Sequence, residues 1–484
     1  MPKTMDARWD FIAGVNRTYS EDALDARELR QAQNCRLTTY GGVSKRGGTQ
    51  RIHSDDLGTN ILGICQWDNP SQSAELVAIE GSSGDLFYKT LAATTWTTVA
   101  SSLSSSNRVS FAPYKTSGTN RLYFADGALR KWTATTLTTS ITGAPSALYL
   151  SVYKERMFAS DGTQVIYWSA VNDPETWAAP DGGQANVETY DSEPIVGHVV
   201  VGGSLLIFKE DSIARFTGTT SDTIDIDKGT EGVSSSVGCI AAGTIVRAED
   251  FAFFLSDRGP YIATEAGVMP IGQKIESELA EWDHANWSKA RAVFNKDARE
   301  ILLIVPDAAV NDIAWCYNIR TQSWTGPHDY GFNIISACPF ERADGTEGIL
   351  FGGDDGYVRD GDNSDNGAKD DVLSNDTGGT NVSMVVEFPP FLMGSPGTVK
   401  ILQDTQYLHA DLGASGSITA SGTGEERASA STLAIATAGT GTKAYKFHLA
   451  WRGRRPKLTL TEATSNVVTI TGLEISGTLG RRTA

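Results

Sequence analysis

The stretch Leu122-Tyr-Phe-Ala-Asp126-Gly127-Ala-Leu129-Arg-Lys-Trp132 contains an apolar strand, a tight Asp-Gly turn and a second strand closing on tryptophan. Asp-Gly between alternating segments is hairpin chemistry, because a type I′ turn needs positive φ at both central residues. The unit recurs on either side. Upstream lies Leu76 to Ile79, a turn at Gly84-Asp85, then Leu86 to Tyr88. Downstream lie Met157-Phe158 with Asp161-Gly162 and Val165 to Trp168, then Leu205 to Phe208 with Glu210-Asp211 and Ile213 to Phe216. Three more follow: Phe251 to Leu255 with Tyr261-Ile262, Ile301 to Val305 with Ile313 to Tyr317, and Ile349 to Phe351 with Tyr357-Val358.

The turns are spaced 43, 35, 49, 48, 53 and 44 residues apart, close to the length of about 40–50 that one four-stranded propeller blade needs. Several units end on a tryptophan (Trp96, Trp177, Trp324). The spacing predicts an all-β fold with a β-propeller over residues 57–365, of about seven blades with six as the alternative. A pair of sandwiches would also repeat hairpins, but not at so even a step. Helix is expected only over Ser20 to Asn34 and over Ile275 to Trp287, where Leu279 and Trp282 share one side.

Three other regions flank the repeat. Residues 1–56 form an N-terminal segment too short to fold alone, expected to dock on the C-terminal domain or an outer blade. Residues 366–383 are polar turn formers and read as a linker or exposed loop. Residues 384–484 alternate in stretches such as Lys457-Leu-Thr-Leu-Thr461 and predict a β-sandwich-like platform domain. Its Ala, Ser, Thr and Gly stretch, Gly413 to Thr442, suits a hairpin or edge that orders on assembly.

The formal net charge is −17, which argues against gripping nucleic acid by its phosphates. An acidic wall along which DNA slides is compatible with it. The charge is uneven: residues 446–484 hold seven basic residues, Arg452, Arg454, Arg455 and Lys457 among them, against two acidic ones. That basic end fits an electrostatic joint with an acidic neighbour. Five scattered cysteines without a CxxC pair fit a protein made in a reducing cytoplasm. No apolar run is long enough to span a membrane, and no signal sequence is read at the start.

Motifs for nucleophile elbows, zinc proteases and phosphate loops are missing, and the six histidines are dispersed. The expectation is a protein with no enzymatic activity and no cofactor. One weak calcium site is suggested by the alternating oxygens of Asp360, Asp362, Ser364 and Asn366, although the position expected to hold a closing Glu is Leu373. A solvated turn is the plainer reading. Arg17, Lys45 and Arg46, near glycines, are candidates for a subunit joint or for facing DNA, together with Arg452, Arg454, Arg455 and Lys457.

The run Ala-Gln-Asn34 followed by Tyr40-Gly-Gly42-Val-Ser-Lys45-Arg46-Gly47-Gly48-Thr resembles the opening of short-tailed phage nozzle and tail-tubular proteins, where a Pro stands at the position of Gly47. The middle is similar to the tail hub, or DNA-stabilisation, proteins of the same phages. Leu205 to Gly218, Gly232 to Ile240, Phe253 to Asp257 and Ile271 to Glu276 carry that likeness, as does Trp451-Arg-Gly-Arg454-Arg455 with Thr471 to Ile475. The resemblance implies a structural virion protein, a propeller on a β-rich platform, forming a ring, commonly a hexamer, around the DNA exit channel. Its implied neighbours are a portal or head-to-tail adaptor and fibre, spike or needle proteins, with double-stranded DNA in passage. The implied location is the virion tail, after assembly in the bacterial cytoplasm. The alternative is a receptor- or glycan-binding propeller module of a tail.

Overall fold

A computed structural model describes residues 3–99, 101–188, 192–219, 223–228, 231–307, 310–363, 365, 367–373, 377–393, 397–402, 404–424, 429–434 and 441–479. Its centre is a β-propeller. Six blades follow one another along the chain, each an antiparallel four-stranded meander, with innermost strands Ile61–Asp68, Ser110–Thr116, Tyr149–Tyr153, Gly197–Val201, Val246–Ala248 and Arg291–Asn295. A seventh, closing blade is composite. Ile334–Glu341, Glu347–Gly353 and Val358–Asn363 supply three strands, and Gly48–Arg51 from the N-terminal segment supplies the fourth. The innermost strands touch in sequence, and Ile334–Glu341 lies against Ile61–Asp68 to shut the ring.

The repeated hairpin is the second and third strand of each blade, as in Leu86↔Ile79, Leu129↔Ala125 and Ile213↔Phe208. Its apolar runs are continuous because those strands are covered on both faces. Side chains alternate across a strand, so Leu205 and Ile207 enter the core shared with the third blade, while Leu206 and Phe208 enter the core shared with the fifth. Ala252 and Phe254 divide from Phe253 and Leu255 in the same way, as do Leu302 and Ile304 from Ile301 and Leu303. Each blade thus glues its two neighbours with one strand.

The turns differ in one respect from the sequence expectation. Gly127, Gly162 and Gly356 have positive φ, but the preceding Asp126, Asp161 and Asp355 do not, so these turns are not type I′. The aspartates act through their side chains. Asp161 Oδ1 accepts the Thr163 amide at 3.0 Å, and Asp126 and Asp355 accept amides two residues on in the same way.

The platform is a sandwich of two sheets around one apolar core. One sheet holds Lys400–Leu402, Thr405–Asp411, Lys443–His448, Trp451–Gly453 and the long Thr469–Leu479, along which Lys3–Arg8 pairs. The other holds Met384–Glu387, Ser417–Thr423, Ser429–Ala434 and Lys457–Glu462. That second sheet is continuous with the sixth blade. Gln31–Gln33 lies between Ser323–Asp329 and Met384–Glu387, with Ala32 opposite both Gly326 and Val386. The N-terminal segment is therefore the seam between propeller and platform.

Three expectations are corrected here. Ser20 to Asn34 is not a helix: only Glu21–Ala23 forms a 3-10 turn, and Glu28–Leu29 and Gln31–Gln33 are strands. Its helix-forming residues yield to pairing with two sheets at once, since tertiary contacts override propensity. The stretch 366–383 is not simply a linker, because Lys369–Val372 and Gly378–Asn381 form a hairpin on the closing blade. Its aspartates are held by arginines, as described below. Over Ile275 to Trp287 the helix shrinks to Glu276–Leu279, flanked by 3-10 turns.

Candidate functional site

The residues singled out by sequence fall into two groups, one buried and one exposed or half-buried. Lys45 Nζ lies 2.6 Å from Glu462 Oε2 and donates to the Thr464 carbonyl, with both side chains of the ion pair essentially inaccessible. Burial lowers the Lys45 ammonium, and the Glu462 carboxylate opposes that shift. Arg46 is fully buried and forks onto Asp370 at 2.9 and 2.5 Å. It also donates to Asn34 Oδ1 at 3.0 Å and to the Asp329 carbonyl, and it stacks 4.3 Å over the Tyr330 ring. Lys45 and Arg46 are both buried and both paired inside the chain.

The same pattern runs through the seam. Arg36 bridges Glu300 at 2.7 Å and Asp362 at 2.6 Å. Arg51 and Arg359 share Asp371, and Arg342 holds Asp360 at 2.7 Å. Desolvation raises the Asp360 and Asp370 carboxyls even so, against the pull of their arginines. Arg342 thus takes both carboxylate oxygens of Asp360 and Arg36 takes Oδ2 of Asp362, while Ser364 and Asn366 lie outside the described residues. Gly47 and Gly48 are required by crowding: a Cβ on Gly48 would sit 1.7 Å from the Lys369 carbonyl oxygen, and one on Gly47 would sit 2.6 Å from the Asp362 backbone. Among the described residues no group of three His, Cys, Asp or Glu side chains is placed to hold a metal.

The second group is larger, with Arg452, Arg454 and Arg455 exposed and Arg17 and Lys457 half-buried. Arg17 pairs with Glu278 at 2.6 Å. Arg455 and Lys457 pair with Asp22 and Glu21 of the N-terminal turn, Arg455 remaining 53% exposed. Arg452 and Arg454 are exposed on and just beyond the strand Trp451–Gly453. Trp96, Trp132, Trp177 and Trp324 are all buried; among the described residues the exposed aromatics are Trp9, Tyr19 and Tyr40 on the N-terminal segment and Tyr407 on the platform strand Thr405–Asp411.

A cavity of about 690 Å³ opens at one mouth of the propeller, where the innermost strands begin. Every blade contributes to it, with Ile64, Val109, Ile195, Ile240 and Ile335 among its apolar walls. Its charged side chains are Arg108, Lys289 and Arg291, with no Asp or Glu in the lining. Arg291 is buried; its Nε and Nη1 donate to the Ile335 and Ala290 carbonyls, and its Nη2 has no hydrogen-bond partner. Gly243 leaves the room it needs, since a Cβ there would lie 1.9 Å from Arg291 Nη1. Arg108 donates to the Lys289 carbonyl at 3.2 Å; burial lowers its guanidinium to about 10, partly opposed by Tyr149. Sequence reasoning missed these residues. Each sits just before or at the start of an innermost strand, and only the closed ring brings the second and sixth blades together.

No protein-family model matches the chain, and no curated protein matches it. Among solved structures it is similar to a chain described as the extracellular domain of the one component system BT4673 from B. thetaiotaomicron, at 10% identity and a TM-score of 0.40, over 68% of this chain. The match spans about 40% of the length of that structure.

Proposed function

We propose that the chain is a non-enzymatic structural subunit of a short phage tail, a nozzle or hub that assembles as a ring around the DNA exit channel. One observation carries this reading. The residues through which the chain resembles tail proteins, Asn34, Lys45, Arg46, Gly47 and Gly48, lie where the N-terminal segment, the closing blade and the platform meet. A motif placed there has an architectural role. A stiff, closed disc with few open strand edges suits a part that resists load, and the net negative charge suits a wall past which DNA slides. Ring closure needs one surface to meet a different one on the next copy. The exposed Arg452, Arg454 and Arg455 are proposed to form the basic side of that joint. The neighbours would be a portal or adaptor on one side and a fibre, spike or needle on the other, with the protein resident in the virion tail.

A second reading, a ligand- or receptor-binding propeller module, is favoured by the acid-free mouth of the propeller. Native mass measurement of the purified chain, alone and with tail-less particles, separates the two. Ring formation or capture by particles is the expected result; a monomer that ignores particles and binds a glycan array favours the module. In the same assay Arg454→Glu with Arg455→Glu is expected to block assembly while the circular dichroism spectrum stays unchanged. Normal assembly by that double variant counts against the electrostatic joint.

A further inference from the structure

We propose that the mouth of the propeller binds a small amphiphilic anion, its carboxylate or phosphate head on Arg108 and Arg291 and its apolar body against the isoleucines of the wall. The argument starts from charge. A chain with a net charge of −17 has nevertheless gathered three cations and no acid at one cavity fed by all its blades. Two of the cations are answered by backbone carbonyls and not by carboxylates: Arg108 by Lys289, and Arg291 by Ile335 and Ala290. Arg46 and Arg359 by contrast take carboxylates, while buried Arg156, which lies outside this cavity, is satisfied by three backbone carbonyls. A guanidinium presents five donors in a fixed fork suited to a planar or tetrahedral oxyanion. Arg291, 6% exposed, still has Nη2 without a partner, and a buried unmet donor is costly. The cavity volume of about 690 Å³ falls within the range of roughly 300–1,000 Å³ usual for small-molecule sites. The walls at Ile64, Val109, Ile195, Ile240 and Ile335 favour a ligand with an apolar body over a bare inorganic ion. This inference does not rest on the tail reading, since it concerns the mouth of a single chain.

Calorimetric titration of the purified full-length chain tests it, with phenyl phosphate and benzoate as probes and benzamidine as a cation of similar size. One phenyl phosphate or benzoate per chain is expected to bind, with inorganic phosphate weaker and benzamidine silent. Arg108→Gln is expected to weaken binding by about ten- to a hundredfold, the loss of a charge-assisted contact. Ser106→Glu, which adds a carboxylate at an exposed position of the lining, is expected to abolish binding with an unaltered unfolding temperature. Equal binding by wild type and Arg108→Gln, equal binding of benzamidine, or no heat from either organic anion at millimolar concentration overturns the proposal. Inorganic phosphate binding more tightly than phenyl phosphate overturns its amphiphilic part.

Discussion

The first six blades and the seam that closes the ring both rest on shared apolar cores, but the seam adds a layer of buried ion pairs. Each of the six uses consecutive chain, and their shared cores are apolar side chains divided between the two faces of one strand. The seam draws on strands far apart in sequence, Gly48–Arg51, Val358–Asn363, Lys369–Val372, Gln31–Gln33 and Met384–Glu387. It is cemented by Arg46 with Asp370, Arg51 and Arg359 with Asp371, and Lys45 with Glu462. Hydrophobic burial is non-directional, which suffices where covalent continuity already sets the neighbour. Segments that meet from a distance need a register, and a forked arginine on a carboxylate accepts one geometry.

The most severe way to break the comparison is Arg46→Ala. It leaves Asp370 and Asn34 buried without their partner and is expected to cost roughly 3–5 kcal/mol, read by urea unfolding. If the seam is what joins the two bodies, early proteolytic cuts in the variant fall between propeller and platform. Arg46→Met with Asp370→Leu, apolar at both positions, is expected to recover much of the loss. Leu206→Ala, in the core between the fourth and fifth blades, is expected to cost roughly 2–5 kcal/mol with no effect on where proteases cut. A Leu206→Ala variant that released the platform would erase the distinction.

A smaller effect is expected from acid. Burial holds His53 and His198 neutral, each down to about 4, with smaller charge and hydrogen-bond influences from neighbours. His53 Nε2 accepts the Val358 amide of the closing blade at 2.8 Å, so its protonation breaks that bond. The unfolded rings take up protons near pH 6.5 and the folded ones do not. Stability is therefore complete above pH 6.5 and falls as the pH drops towards 4, by roughly 2–3 kcal/mol for each ring. Replacing His53 by Gln is expected to flatten its share of that slope in unfolding curves taken across this range.

The blades were legible because a strand covered on both faces must be apolar throughout, and a hairpin needs Gly with Asp or a similar residue beside it. Leu76 to Ile79 and Phe251 to Leu255 carry both signals in one short window. The closing strand Gly48–Arg51 carries neither; Gly-Thr-Gln-Arg has no periodicity, and its place is set by partners about 310 residues away. Ser20 to Asn34 misled for the same reason, its local preference being helical and its partners remote. The cations of the mouth belong to separate blades, so no spacing in the chain could have grouped Arg108 with Arg291. Lys45 and Arg46 were rightly conspicuous, but their charge is turned inward.

The strand that locks the disc is synthesised about 310 residues before the strand it pairs with. Until residues 334–363 have been made, Gly48–Arg51 has no sheet to join, and the aspartates awaiting Arg46 and Arg51 do not yet exist. Pairing across so long a stretch is slow to form. A partly made chain is thus an open fan with bare edges, exposed to wrong neighbours until Gly48–Arg51 meets Val358–Asn363.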